Sequence, residues 1–577
     1  MFRNVESHFS QVPSVEMPRS TFTRPSTHTT TFNCGDLIPL YVDTDILPGD
    51  SVKMITSKVV RLQTLLTPIF GNVYLDTYWF FIPHRLVWNH WREFCKENTQ
   101  SAWIQPTEYQ IPTIASPEGG FDYGTLADYF GWPCKVEWDN EAKRRPNVLA
   151  PRAYALVANE FFRWTPVTDP LSIPVGDSNQ TGSNGDNYIT DVANAGKPFK
   201  VARYFDYFSS CLPSPQRGPT VGFSFSSPTL DVTPLAPVGV SNIAHSGYAV
   251  EPGEGKYIGL AINHTNDTTA RKFQINSSPV YAPTGTTLSV DATSKEISGF
   301  SSEDRRPINL YADIGNNISF SGGDVAFDIN ELRLAFQLQK FYERLALGGA
   351  RYIEVIKSMF GVSSPDARLQ RPEYLGGNRI PLNIQEVTNN AQSAQDFLGD
   401  LGAKSATSDI HYDFDHSFTE HGTLMCVACV RTDHLYEGLS AMYSRRKFTD
   451  VYWPVFSSLG NLPVYDSEIY ADADTIDEDT VFGYQEAWAS YRYRNNMVSA
   501  EMRPSHPQSL SSWNLADQYS EVPTLSDSWI REDKTNLDRT LAVTSAVSNQ
   551  IFGDFYFEAT YTRVMPMYSI PGLIDHH

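Results

Sequence analysis

NVYLDTYWFFIP, residues Asn72 to Pro83, alternates with period two. Val73, Leu75, Thr77, Trp79 and Phe81 fall on one face, and Tyr74, Asp76, Tyr78, Phe80 and Ile82 on the other. Aromatic and β-branched residues at this density favour a strand. Both faces are largely apolar, so the strand must be covered on both sides, in a sandwich that also packs against helices or long loops. Pro83 cannot donate to a ladder and ends it. Near the other end of the chain, Phe552 to Val564 has the same character. Phe555, Phe557, Ala559 and Tyr561 share a face, opposite Tyr556, Glu558, Thr560 and Thr562. The matched patterns predict that strands 73–82 and 552–564 pair antiparallel in one sheet.

Between and around them, other segments have readable patterns. In DTDILPGDSVKM, Pro48, Gly49 and Asp50 mark a turn, and Val52, Met54 and Thr56 alternate after it. Residues 421–431 read as a strand with Leu424, Cys426, Ala428 and Val430 on one face and Met425, Val427 and Cys429 on the other. Val451–Phe456 reads as another, with Pro454 placing it at an edge or bend. Helical spacing appears at Leu86–Asn98, near Thr125–Phe130, at Arg152–Arg163 and at Arg351–Phe360. A longer helix starts after Asp328, with Glu331 as capping-box partner. Its predicted buried face is Leu332, Ala335, Phe336, Phe341, Tyr342 and Leu345, and Gly348 and Gly349 stop it.

Composition bounds the rest. The 577 residues are 13% aromatic and only 19% charged, which implies large buried contacts, some of them between subunits. The formal net charge of -21 argues against a chain that condenses nucleic acid by itself. Six cysteines form no framework and read as free thiols of a reducing cytoplasm. The N-terminus has no apolar core of a signal peptide, and no apolar run is long enough for a membrane helix.

The domain reading has four parts. Residues 1–31 form an extended, Ser/Thr-rich arm with Arg3, Arg19 and Arg24. Residues 32–220 are the first part of a β core with loop insertions. Residues 221–304 are a polar surface insertion, with eight carboxylates against four Lys/Arg, a net charge of -4. Residues 305–577 are the second part of the core and a Pro/Gly tail.

The chemistry of an enzyme is looked for and not found. Cys426-Val-Ala-Cys429 has the CxxC form, yet on a strand an offset of three puts the sulfurs on opposite faces. Asp43, Asp45 and Asp50 read as acidic turn residues. DADTIDED, Asp472 to Asp479, lacks the Gly and the bidentate Glu of a calcium loop. His411 and His416 flank YDFD and read as loop histidines. No nucleophile elbow, phosphate loop or dinucleotide fingerprint is present.

Several stretches are specific enough to carry a resemblance: LIPLYVDTDILPGD, FFIPHRLVWNHW, LRLAFQLQKFYERLALGGARYIE, GVSSPDARLQRPEYLGG, SFTEHGTL, FGYQEAWASYRYR and the closing MYSIPGLIDH. With these, the chain resembles the major capsid proteins of gokushoviruses, single-stranded-DNA phages of the microvirus family. The resemblance implies an eight-stranded antiparallel jelly roll with long insertions and a few short helices, in which first and last strands are neighbours. It implies no enzymatic activity and no cofactor. The implied assembly is a small T=1 icosahedral shell of this one chain, enclosing circular single-stranded DNA. It also implies a small basic DNA-packaging protein, synthesis in the bacterial host cytoplasm, and a protrusion of 221–304 at the threefold axes that meets a host receptor. Tyr248, Lys256, Tyr257, His264, Arg271 and Lys272 are the expected host-contact residues, and Arg3, Arg19 and Arg24 the expected genome-facing ones. The competing reading is a β-rich receptor- or carbohydrate-binding protein with 221–304 as its binding module.

Overall fold

The computed structural model describes residues 18–99, 107–138, 145–219, 221, 329–390, 398–399, 401–472 and 480–568, and short strands within 230–320. Two compact units emerge: residues 1–219 with 339–577, and residues 220–338.

The first unit holds eight long strands. They are β1 (Ser20–Phe32), β2 (Ile38–Ile46), β3 (Ser51–Leu62), β4 (Val73–Pro83), β5 (Glu373–Pro381), β6 (Thr407–Ser417), β7 (Gly422–Thr432) and β8 (Ile551–Arg563). They form two four-stranded antiparallel sheets, ordered β1-β8-β3-β6 and β5-β4-β7-β2. Apart from β4 and β5, neighbours in this order are not consecutive strands, and the first strand lies beside the last, which is the jelly-roll connection.

The opening stretch is β4, central in its sheet, paired with β7 from Val73↔Thr432 to Pro83↔Gly422. Its two apolar faces have two different partners. Leu75, Trp79 and Phe81 enter the core between the sheets, with Val52 and Met54 of β3 and Phe555, Phe557 and Tyr561 of β8. Phe80 and Ile82 enter a second core with Met425, Val427 and Cys429 of β7, covered by Trp88, Phe121, Phe199 and the helix α1 (Leu149–Val157). The two predicted faces of β7 divide between these cores as read, and Cys426 and Cys429 stand on opposite sides of the sheet.

One expectation is overturned. Strands 73–83 and 551–563 are not paired: they lie in opposite sheets and face each other across the core, with the rings of Trp79 and Phe557 5.8 Å apart. The first strand of the roll is instead Ser20–Phe32, inside the stretch read as an arm. It pairs along its whole length with β8, from Ser20↔Arg563 to Phe32↔Ile551. Its polarity reflects an edge position. Threonine is β-branched and suits a ladder. Pro25 is tolerated because an edge strand has one side without a ladder partner. The hydroxyls of Thr21 and Thr562 meet at 3.0 Å, and Thr29 donates to Asp554 at 2.6 Å.

Helices differ in part from expectation. Arg152–Arg163 becomes the end of α1 and a π-helical turn, Ala158–Phe162. Leu86–Asn98 keeps one α-turn, Trp91–Phe94. Val451–Phe456 is not a strand: Pro454 opens a 3-10 turn, and the Trp453 indole donates back to the Phe448 carbonyl at 3.0 Å. Helix α2 (Ile329–Gly348) forms, but none of its residues is buried; Phe336 and Phe341 are exposed. Asp328 lies outside the described residues. Helix α3 (Tyr352–Phe360) ends at Gly361, whose φ of 70° is the left-handed conformation glycine adopts freely. Among the described residues no helix is long and apolar enough to cross a membrane.

The second unit contains short antiparallel pairings, including Gly259–Ile262 with Arg271–Gln274 and Val280–Tyr281 with Thr287–Val290.

Candidate assembly surfaces

The long insertions after β4 and β7 are fixed to the sandwich by a buried ionic cluster. Arg203, His434, Asp517 and Glu532 are each less than a tenth exposed. His434 Nδ1 lies 2.7 Å from Asp517 and Nε2 3.2 Å from Glu532. With a carboxylate at each ring nitrogen, both must donate, so the ring is an imidazolium. Burial alone would lower its pKa; the two carboxylates outweigh burial and lift it to about 10. Burial pushes Asp517 upward, but Arg203 at 2.6 Å and His434 hold it well below the usual carboxylate range. Asn536 and the Tyr519 hydroxyl also donate to Asp517. Thr432, at the end of β7, donates to Glu532 at 2.7 Å. The four charges cancel and these bonds are made within the chain. The nearby Cys34 thiol is fully buried, with its pKa pushed well up by burial and by Glu532. This is a lock rather than an acid–base centre. Sequence reading does not find it, because its bonded pairs stand 83 to 314 positions apart.

Two of the three predicted genome-facing arginines are engaged within the chain. Arg24 binds Asp43 at 2.7 Å and lies 4.9 Å from the centre of the Tyr561 ring. Arg19 donates to the Gly49 carbonyl at 2.8 Å. Arg3 lies outside the described residues. Two of the acidic turn residues also have partners within the chain: Tyr561 donates to Asp43 at 2.7 Å, and Arg563 binds Asp50 at 2.8 Å. His411 lies 3.1 Å from Asp413, and His416 lies 3.8 Å from Glu373, so the two histidines do not share a site. Of the expected host-contact residues, Tyr248, Lys256, Tyr257 and His264 lie outside the described residues, as does most of DADTIDED. Arg271 and Lys272 lie on the short strand Arg271–Gln274. Among the described residues no group of three or more His, Cys, Asp or Glu side chains is arranged to hold a metal ion.

Three surfaces of the first unit leave apolar side chains open. The first is the outer face of the β1-β8-β3-β6 sheet, with Val59, Ile410, Tyr412 and Tyr556. The second is the helical segment with Phe341, Leu347, Tyr352 and Phe360. The third is a ridge made by residues 440–459 and 488–503. Tyr452 joins its halves, its amide accepted by the Tyr491 hydroxyl at 3.1 Å and its ring 5.5 Å from Trp488. Arg445 donates to Ser490 at 2.8 Å and stacks 3.9 Å from the Tyr491 ring centre. A cleft of about 380 Å³ separates the ridge from α2, lined by Glu343, Leu347, Tyr452, Leu459, Glu486 and Tyr491 among others. Exposed apolar surface on this scale marks interaction sites rather than a finished monomer.

Comparison with known proteins agrees with this picture. The family described as Capsid protein (F protein) matches residues 10–573. Capsid protein VP1 of Spiroplasma virus 4 is 36% identical, over 98% of this chain and 97% of the relative. Capsid protein VP1 of Bdellovibrio phage phiMH2K is 34% identical, over 99% and 98%. Capsid protein VP1 of Chlamydia phage 1 is 32% identical, over 99% and 98%. The gokushovirus resemblance of the sequence is thus supported over nearly the full chain, which belongs to the phage capsid F-protein family.

Proposed function

We propose that this capsid protein closes into a T=1 icosahedral shell around a circular single-stranded DNA genome. The observation that carries the reading is the jelly-roll subunit that leaves three apolar surfaces uncovered. A polar insertion at 221–304 suits a protrusion at the threefold axes that takes part in host attachment, with Tyr248, Lys256, Tyr257, His264, Arg271 and Lys272 as contact candidates.

A net charge of -21 on each subunit opposes a packaged polyanion. Since Arg19 and Arg24 are engaged within the chain, a separate small basic protein bridging shell and genome is the better account. Electron microscopy of the purified chain tests the reading: closed particles of one diameter are expected. Removing about 225–300 should leave particles and reduce attachment to the host. A stable monomer that turns over a glycan would replace this reading with that of a carbohydrate-active protein.

A further inference from the structure

The ridge at 440–459 and 488–503 differs from the rest of the chain in charge. Over residues 440–456 and 488–503, Arg445, Arg446, Lys447, Arg492, Arg494 and Arg503 stand against Asp450 and Glu501, a local net charge of +4 on a chain of -21. Its exposed side chains are aromatic and aliphatic together. Tyr443, Phe448, Trp453 and Tyr493 are more than half exposed, as is Met497, and Val455 is 88% exposed.

Two kinds of occupant suit a basic, aromatic surface: single-stranded nucleic acid, whose bases stack on rings, and another protein. Three features favour protein. Glu343 and Glu486 line the adjoining cleft, where phosphates would be repelled. Two cations are already engaged, Arg445 on Tyr491 and Arg492 with Glu486 at 2.7 Å. Val455, Leu459 and Met497 offer aliphatic surface that base stacking does not use, whereas Tyr, Trp, Met and Arg are the residues enriched in protein interfaces. The charge indicates which protein. A second copy presents a predominantly acidic surface, complementary to a positive ridge.

We infer that this ridge is a subunit contact that seats an acidic surface of a second copy of the chain. The inference rests on the shell reading above and names one of its contacts. Because the patches that meet are different, the contact is heterologous, of the kind that closes rings when repeated.

The full-length chain tests it. The wild type and the R446E/K447E variant are compared by sedimentation for particles and free subunits at low and high salt. Expected is loss of particles in the variant, while its dissociated subunit keeps the wild-type thermal midpoint, because both side chains are exposed. Footprinting gives a reading without any variant: oxidation of Trp453 and Met497 should fall when wild-type subunits assemble. Unchanged particle yield in a folded variant, or unchanged oxidation on assembly, overturns the inference. Particles that form normally but lose DNA assign the ridge to nucleic acid instead. Failure of the wild type to form particles under any condition removes the shell reading itself.

Discussion

On the outer face of the β5-β4-β7-β2 sheet, Phe80, Ile82, Met425, Val427 and Cys429 are buried beneath the chain's own insertions. On the outer face of the β1-β8-β3-β6 sheet, Val59, Ile410, Tyr412 and Tyr556 stand exposed among charged and hydroxyl side chains. The inner faces of both meet in one core. The same roll therefore has one sheet finished by its own chain and one left open. Strand composition follows. β4 and β7 are apolar on both faces, whereas β8 alternates buried and open positions along its length.

The largest expected effect breaks the covered side. Phe80 is 1% exposed and packs against Phe161 with ring centroids 4.6 Å apart. Phe80→Ala should lower subunit stability by about 3–5 kcal/mol, through lost transfer energy and the cavity left behind. Urea unfolding of dissociated subunits measures this. A loss under about 1 kcal/mol would mean that the insertions do not seal this face.

The next effect concerns the lock that holds the cover down. Removing the positive partner in His434→Gln leaves Asp517 and Glu532 buried with Arg203 alone, at an expected cost of about 3 kcal/mol or more. The pH dependence has a definite sign. His434 binds its proton more tightly when folded, near 10, than at its ordinary 6.5. Its contribution is complete below about pH 6.5 and is lost as pH rises through about 10. The wild type should thus weaken on going alkaline, and the variant should lack that part of the slope. Parallel thermal melts across that range check it; identical slopes would contradict the charged ring.

A smaller effect, with the same pH trend but with substitution stabilising rather than destabilising, lies at Glu468 in the insertions. Glu468 sits beside Tyr207, and burial lifts its carboxyl from 4.5 to about 7. The neutral form is favoured by folding, so its contribution is complete below about pH 4.5 and lost as pH rises through about 7. Glu468→Gln keeps an acceptor and cannot ionise. It should stabilise the subunit by about 1–3 kcal/mol near pH 8 and change little near pH 4. Destabilisation at both would show that the carboxylate is the form the fold needs.

The two sheets were unequally legible in the sequence. β4 and β7 declare themselves because two-sided burial leaves an apolar residue at nearly every position, and their faces separate as the alternation indicates. β1 does not. An edge strand with an open outer face needs threonines rather than large apolar residues, so STFTRPSTHTTTF looks like an unfolded arm. That misreading caused the second one, since with β1 unseen β4 takes the place of first strand and is wrongly paired with β8. The ridge escaped for a different reason. YSRRKFTDVYWPVF and SYRYRNN were read separately, the first partly as a strand, and only the fold brings them together through Tyr452 and Tyr491. Helix α2 shows the limit of periodicity: its apolar stripe is real but lies open in the single chain, so spacing marks a face to be covered without saying by what.

The smallest effect belongs to the open sheet and makes the comparison quantitative. Tyr556 of β8 is 41% exposed and opposes Ser57 of β3. Ile410 of β6 is 74% exposed, also opposite Ser57 from the other side. Among the described residues neither is covered by a further layer, so truncation leaves no cavity. Tyr556→Thr and Ile410→Thr each place a β-branched side chain that suits a ladder, and each should change subunit stability by no more than about 0.5 kcal/mol. The same urea titration used for Phe80→Ala reads both, so the two faces are measured on one scale. If Tyr556→Thr costs as much as Phe80→Ala, the outer face of the β1-β8-β3-β6 sheet is not open in the free subunit.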